Sequence, residues 1–139
     1  MNIRNIIENF RLAQQDLNER LDNLKMHQND EEGLWDEYVK LDDTFFLNDK
    51  IINFLGDSLQ QMNHKEHLAL YDLEDIKHIY MLLVEYYPDN IQYQEDLIAF
   101  VYNVLDEEEE ALILIDKAER RMESVRRYFV KLRGEMEKK

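Results

Sequence analysis

The sequence of 139 residues contains no cysteine, one proline and three glycines. Without cysteine, the chain cannot form disulfides, use thiolate chemistry or hold a metal through sulfur. A sheet protein of this size needs many turn residues, so the scarcity of glycine and proline predicts an all-α fold. We expect a single all-helical domain over residues 1–139, because this length suits one hydrophobic core better than two.

Long apolar runs are also missing. No stretch approaches the roughly 20 residues that span a bilayer. In residues 1–12, polar and charged residues break up the apolar ones, whereas a signal peptide has an unbroken apolar run. With the lack of cysteine, this predicts a cytoplasmic protein without a membrane partner. Apart from tyrosine, the hydroxyl residues are Thr44, Ser58 and Ser124. None lies in a nucleophile motif and no glycine-rich phosphate loop occurs, so we expect no catalysis and no cofactor.

Charge is abundant and uneven. The net charge is −14, yet residues 117–139 carry nine Lys/Arg against four Glu. Basic side chains recur along one side of this last segment: Lys117, Arg120, Arg127, Lys131 and Lys138. Such a stripe suits an acidic partner or phosphates. The overall negative charge argues against nucleic acid, so Arg120, Arg127 and Lys131 are candidate contacts for a protein partner.

Apolar periodicity predicts about five helices, three long and amphipathic and two short and central. They cover about residues 2–26, 34–62, 73–87 and 91–105, and a last segment that begins at the acidic run 107–110. The second helix has a stripe at heptad-like spacing: Leu34, Tyr38, Leu41, Phe45, Asn48, Ile52, Leu55, Leu59 and Met62. The last has another: Ala111, Ile115, Ala118, Met122, Val125, Phe129, Leu132 and Met136. These stripes outrun the short central helices, so we expect a homodimer or higher oligomer.

Residues 76–118 resemble a tetratricopeptide-repeat hairpin. Ala111 and Ala118 match the two small positions of the repeat's second helix, with Ile115 at the large apolar position between them. In the first helix, Ala99 takes the small position and Tyr102 the aromatic one. The turn at 88–90 stands where a preceding repeat would end, and Ile76, Tyr80 and Leu83 loosely resemble that repeat's second helix. Small residues at these positions imply close helix packing.

The pattern departs from the family at two positions. Glu95 occupies the leading aromatic position, with Tyr93 two residues early, and Asp106 replaces the usual glycine before the second helix. No second full repeat can be laid over residues 1–70. The resemblance implies a tetratricopeptide-like hairpin within a helical bundle, and a protein-binding role in place of catalysis.

Two further features are relevant to binding: a pair of histidines and the single tryptophan. His64 and His67 are three residues apart, but a metal site needs three or four converging ligands, and the surrounding segment is polar. We therefore expect surface histidines and no metal site. Trp35 lies beside the predicted stripe of its helix, which makes it a candidate interface residue as well as a residue at the edge of the core.

Two functions remain open. The first is a non-enzymatic interaction module, such as an adaptor, chaperone-like protein or assembly factor, that binds partners through apolar helical stripes. The second is an acidic helical inhibitor that mimics nucleic acid or neutralises a toxin by occupying a basic site, with Asp/Glu side chains steering the encounter. A small hydrolase with a carboxylate-bound metal lacks its ligand pattern. The sequence identifies neither the partner nor the biological process.

Overall fold

The computed structural model describes residues 1–138, and Lys139 of the basic segment lies outside them. The all-α prediction is confirmed, since no strand occurs in that range, although seven α-helices replace the expected five. They are α1 (Ile3–Met26), α2 (Glu31–Lys40), α3 (Asp49–Gln61), α4 (Lys65–Leu68), α5 (Leu73–Tyr86), α6 (Ile91–Ala99) and α7 (Glu108–Glu137). Two compact units result, Met1–Leu70 (unit 1) and Tyr71–Lys139 (unit 2). That they form one domain stays a prediction.

In unit 1, the expected long helix over residues 34–62 is wrong, because the chain breaks it twice. After α2 it forms a 3₁₀ turn (Asp43–Leu47) and then starts α3. Asp42 caps the 3₁₀ turn by accepting from the Thr44 amide at 3.0 Å, and Asn48 caps α3 by accepting from the Lys50 amide at 2.9 Å. Such local bonds between side chain and backbone compete with helix continuation. Only α1 and α7 are long helices in the part of the chain that the structure describes.

Helices α2 and α3 supply most of the core of unit 1. Its buried apolar side chains are Leu24, Leu34, Tyr38, Ile51, Leu59 and Met62. The Tyr38 and Ser58 hydroxyls lie 2.8 Å apart, and Ser58 donates to the Phe54 carbonyl at 2.7 Å. Burial raises the pKa of Tyr38, so this hydroxyl stays neutral and bridges the two helices.

Helix α1 carries an apolar stripe that the rest of the chain leaves uncovered at one end. Leu24 is buried near the C-terminus of the helix, whereas Ile3, Ile6, Ile7 and Phe10 are each at least half exposed. An exposed apolar patch of this kind is typical of an interaction surface.

Unit 2 is built from α5, α6 and α7. Asp72 and Asp75 form a capping box at the start of α5. The buried side chains come from all three helices: Ile76, Tyr80, Leu83, Tyr93, Leu97, Phe100, Val101 and Ala111. Tyr80 and Phe100 pack with ring centroids 5.5 Å apart, which joins α5 to the end of α6.

The connection from α6 to α7 is tight. Helix α6 continues as one π-helical segment (Phe100–Val104), which ends where the Leu105 amide donates to the Phe100 carbonyl at 3.1 Å. Asp106 then adopts φ 54°, the left-handed region that favours glycine and that aspartate tolerates better than most residues. This turn sets the α6–α7 hairpin.

Ion pairs attach the start of α7 to α5. Lys77 Nζ lies 3.0 Å from Glu110 Oε1 and 3.6 Å from Glu107 Oε2. The hydrogen bond with Glu110 is the main reason why the pKa of Lys77 lies above its usual value. Farther along α7, Arg121 Nε lies 2.5 Å from Asp89 Oδ1 in the turn before α6. The first half of α7 is thereby anchored at two points.

Helix α7 extends beyond its neighbours. It has 30 residues, about 45 Å at 1.5 Å per residue, against 14 residues in α5. Ala111 is its one buried residue, counted over a helix that the structure describes in full. Tyr128, Phe129, Val130 and Met136 are about 60% exposed or more. Among the described residues, no helix combines the length and hydropathy that crossing a membrane requires.

Candidate functional site

An apolar groove of about 830 Å³ runs along the α6–α7 hairpin of unit 2. The α7 residues of the groove follow the heptad-like stripe predicted from the sequence: Ala111, Ile115, Ala118 and Met122. The α6 side supplies Ile91, Ile98, Ala99 and Tyr102, with spacings of seven, one and three residues. The groove is therefore formed jointly by two helices. Its length is set by the helical segment from Ile91 to Val104, which is roughly 21 Å long.

Small side chains keep the groove open. The sequence predicts that Ala99, Ala111 and Ala118 all lie in close helix contacts. The structure bears this out for Ala111, which is 2% exposed. Ala99 is exposed and Ala118 is half-buried, and both line the groove. At these two positions a small residue leaves space in place of bringing two helices together.

A smaller apolar cavity adjoins the groove. It measures about 220 Å³ and shares Gln94, Ile98 and Ala118 with the groove. Its other walls come from α5, the turn after it, α6 and α7: Val84, Pro88, Leu97, Leu114, Lys117 and Arg121. The Gln94 side chain donates to the Pro88 carbonyl, so this buried amide has a hydrogen-bond partner. Ala118 lines both the cavity and the groove, and the apolar surface is therefore continuous between them.

The border of the groove is acidic. Four glutamates belong to its lining: Glu95, Glu108, Glu119 and Glu123. Arg126 is the one basic residue among the lining residues that the structure describes, and its Nη1 lies 3.9 Å from Glu123 Oε1. The groove therefore presents an excess of carboxylates to whatever it binds.

The basic candidates from the sequence lie elsewhere on α7. Arg120 and Arg127 border a shallow depression together with Glu119, Glu123 and Ser124. Arg127 Nε also lies 3.3 Å from Glu123 Oε1, so this guanidinium is partly neutralised. Lys131 is exposed on the following turn. The structure thus places the three basic residues on one helix, and none of them lines the apolar groove.

Trp35 lies in unit 1, on the second turn of α2. It is half-buried, and its ring stacks on the His67 ring with centroids 4.2 Å apart and planes 12° apart. The position supports the core-edge interpretation, because one face of the indole is covered by the protein's own histidine. Whether Trp35 contacts a partner stays a prediction.

The expectation that both histidines lie on the surface is wrong for His67, which is 5% exposed. The ring is covered by Trp35 and accompanied by His64, with ring centroids 5.5 Å apart. Sequence reasoning also missed Glu31 and Glu32, whose carboxylates meet these histidines. The glutamates and the histidines are more than 30 residues apart in the sequence, so no local pattern links them. The two adjacent glutamates at the start of a helix that also contains Trp35 were at most a weak indication of a site.

The groove offers an apolar surface with carboxylates at its edge. Its described lining contains no histidine, serine, threonine or lysine. An arrangement of this kind suits apolar side chains that are flanked by cations. No protein-family model, curated protein or solved structure matches this chain.

Proposed function

We propose that this chain is a non-enzymatic interaction module that binds a basic amphipathic helix of a partner protein in the α6–α7 groove. The observation that carries the proposal is an apolar groove with four glutamates and one arginine in its lining. Amphipathic helices bind such grooves through apolar residues at i, i+3, i+4 and i+7. Lysine and arginine beside those residues complement the carboxylates.

The dimensions of the groove favour a helix over a small molecule. Its apolar residues follow two antiparallel helices over about three turns, from Ile91 to Tyr102 on one side and from Ala111 to Met122 on the other. Two of the large apolar side chains of the groove, Tyr102 and Leu112, are at least half exposed. Exposed apolar area next to a preformed groove is typical of protein-binding surfaces.

The hairpin geometry supports the proposed likeness to a tetratricopeptide repeat. Asp106, which takes the position of the family's glycine, adopts the left-handed φ of 54° that glycine adopts most readily. Ala111, at the first small position of the second helix, is buried. These two observations agree with the proposal, while Glu95 still departs from the family's pattern.

A homodimer remains part of the proposal. The stripe at the second half of α7 leaves Phe129 and Met136 at least 60% exposed, and the stripe at the start of α1 is also bare. Covering these residues with a second copy would remove apolar area from water. The expected second helix contributes no long stripe to such a dimer, because the chain breaks that helix at Asp42. A cytoplasmic location stays the prediction made from the sequence.

The second candidate function, an acidic inhibitor of a basic target, also has a specific observation in its favour. Residues 71–116 contain 13 acidic side chains and one basic side chain, Lys77. Lys77 is itself paired with Glu107 and Glu110. A surface of this charge steers toward basic sites, and salt dependence separates the two functions.

Fluorescence anisotropy with synthetic peptides tests the groove. The first probe is an amphipathic helix with leucines at i, i+3, i+4 and i+7 and lysines between them. A scrambled peptide of the same composition lacks the apolar stripe, and a third peptide replaces lysine with glutamate. We expect the first probe to bind at least tenfold more tightly than either control, a difference of about 1.4 kcal/mol.

Two neighbouring residues provide a matched pair of variants. Leu112 and Ile113 are both 55% exposed on α7, but only Leu112 belongs to the described lining of the groove. Leu112→Asp should weaken binding of the first probe at least tenfold, whereas Ile113→Asp should change it less than twofold. Equal effects of the two variants, or equal binding of the scrambled peptide, would exclude the groove as the binding surface.

A further inference from the structure

In unit 1, the start of α2 and the short helix α4 bring two histidines and two glutamates together. One potential ligand atom from each of Glu31, Glu32, His64 and His67 lies within 4.8 Å of the other three. Residues far apart in the sequence thus converge on one point that the proposed function does not use. The spacing of the histidines in the sequence predicts no metal site here, whereas the tertiary arrangement supports one.

Glu31 holds the group in place. Its carboxylate accepts hydrogen bonds from the backbone amides of Asn63 at 2.5 Å and His64 at 3.0 Å, and His67 Nδ1 lies 2.7 Å from Oε2. Because a carboxylate accepts hydrogen bonds, a neutral His67 ring in this arrangement donates from Nδ1 and carries its proton there.

That tautomer leaves Nε2 of His67 with its lone pair, directed toward Glu32. His67 Nε2 lies 3.8 Å from Glu32 Oε1, and His64 Nδ1 lies 2.6 Å from the same oxygen. Two ligands on one zinc ion, each bonded at about 2.0–2.2 Å, lie no more than about 4.4 Å apart. The 3.8 Å distance between His67 Nε2 and Glu32 Oε1 lies within this limit. The 2.6 Å distance between His64 Nδ1 and Glu32 Oε1 is that of a hydrogen bond, so these two side chains must move slightly apart to bind one ion.

The burial of the four side chains divides them into fixed and adjustable groups. His67 is buried and stacked on Trp35, and its orientation is therefore set by the fold. The side chains of His64 and Glu32 are about half exposed, at 48% and 53%, so both can rotate to complete a coordination shell. A fixed ring with two adjustable neighbours suits metal binding from solvent.

We propose that His67, His64 and Glu32 bind one divalent transition-metal ion such as Zn²⁺, with Glu31 positioning His67. Two imidazoles and a carboxylate are ligands that zinc prefers, whereas calcium takes six to eight oxygens. A carboxylate that accepts from the other ring nitrogen of a ligating histidine is the usual outer partner at such sites. Three protein ligands leave a coordination position for water.

Trp35 serves as the reporter, because it is the single tryptophan of the chain and its ring lies 4.2 Å from the His67 ring. Metal-free protein is titrated with Co²⁺ while tryptophan fluorescence and the visible absorption of cobalt are recorded. We expect saturable quenching at one equivalent, together with the absorption bands of a low-coordinate cobalt site. Zn²⁺, which has no unpaired electrons, should displace Co²⁺ and restore the fluorescence.

Variants assign the ligands. His64→Gln and Glu32→Gln should each weaken Co²⁺ binding at least tenfold. Glu31→Gln should weaken it about 10- to 100-fold, the range for an outer partner, and keep the stoichiometry of one. His27 is the control, since its ring nitrogens lie 3.8 Å from Asp30 and 4.0 Å from Glu37 without a second histidine. His27→Gln should change the affinity less than twofold.

Three results would overturn the proposal. The first is a wild-type protein that shows no saturable quenching by Co²⁺, which would make the group a set of ion pairs that attaches α4 to α2. The second is an equal loss of affinity in His27→Gln and His64→Gln. The third is quenching that Zn²⁺ does not reverse. Circular dichroism checks that each variant keeps its helix content. If a variant does not fold, the Co²⁺ titration of the wild-type protein still decides whether the site binds a metal.

Discussion

Replacing Ala111 with aspartate tests the packing of the α6–α7 hairpin. Ala111 is 2% exposed, so the new carboxylate would be buried without a cationic partner arranged for it. An uncompensated buried charge costs about 3–5 kcal/mol, and the added volume in a close-packed contact costs about 1–3 kcal/mol. We therefore expect the free energy of unfolding to fall by several kcal/mol, a large share of the stability of a small protein.

Ala118 provides the comparison. The sequence alone predicts the same loss at both alanines, but Ala118 is half-buried at the groove, where an aspartate can reach water. Ala118→Asp should therefore cost only about 0.5–1 kcal/mol, close to the range of surface substitutions, while placing a charge in the groove. Ala111→Asn keeps the size of aspartate without its charge and should lie between the two.

The pH dependence of Ala111→Asp identifies the charge as the cause. Burial raises the pKa of a carboxyl group above its unfolded value of about 3.9. The folded variant then binds its proton more tightly than the unfolded chain does, so the loss of stability is full above the folded pKa. It shrinks as the pH falls toward the unfolded pKa, whereas Ala111→Asn should show no such trend relative to wild type.

Urea denaturation followed by far-ultraviolet circular dichroism measures these differences at pH 7 and at pH 5. A loss below about 0.5 kcal/mol for Ala111→Asp, the range of surface substitutions, would show that the helices do not meet at this residue. Equal losses of stability for Ala111→Asp and Ala118→Asp would refute the conclusion that Ala111 is packed more closely than Ala118.

Three further predictions concern assembly, charge and the hairpin turn. Sedimentation equilibrium should give a mass of about twice the 17.0 kDa chain, whereas a monomer up to about 100 μM, a weak affinity, would contradict the homodimer. Partner or probe-peptide affinity should fall only a few-fold between about 50 and 500 mM salt if the apolar groove dominates; a hundredfold fall would favour the acidic inhibitor, whose contacts are screened. Because Asp106 has φ 54°, Asp106→Gly should stabilise the fold by up to about 1 kcal/mol, since relief of the left-handed strain, about 1–2 kcal/mol, exceeds the unfolded-state entropy that glycine adds, about 0.4–1 kcal/mol. Asp106→Ala should destabilise the fold, and equal thermal midpoints for the two variants would argue against the strained turn.

Local signals were sufficient for much of the secondary structure. The helix expected over about residues 73–87 is found as α5 (Leu73–Tyr86), which the capping box of Asp72 and Asp75 starts and which ends before Pro88. The acidic run predicted the start of α7, which begins at Glu108. These features are readable because each depends on residues within one or two turns of helix.

The break in the expected long second helix shows where periodicity misleads. The stripe from Leu34 to Met62 continues in the sequence, but Asp42 and Asn48 bond to nearby backbone amides and end the helix. Asp42, Asp43 and Thr44 are consecutive and Asn48 follows four residues later, and residues of these types favour caps over helix interiors. Weighing those residues against the stripe would have predicted the break.

The sequence by itself determined the all-α class, the limits of the terminal helices and the uneven charge, because these follow from composition and from contacts between near neighbours in the chain. Only the tertiary structure decided that Ala111 is buried, whereas Ala118 is half-buried and Ala99 is exposed along the same groove. It alone placed Glu31 against His67, residues separated by 36 positions. Burial and the convergence of distant side chains depend on how helices pack against one another, and the spacing along one helix does not contain that information.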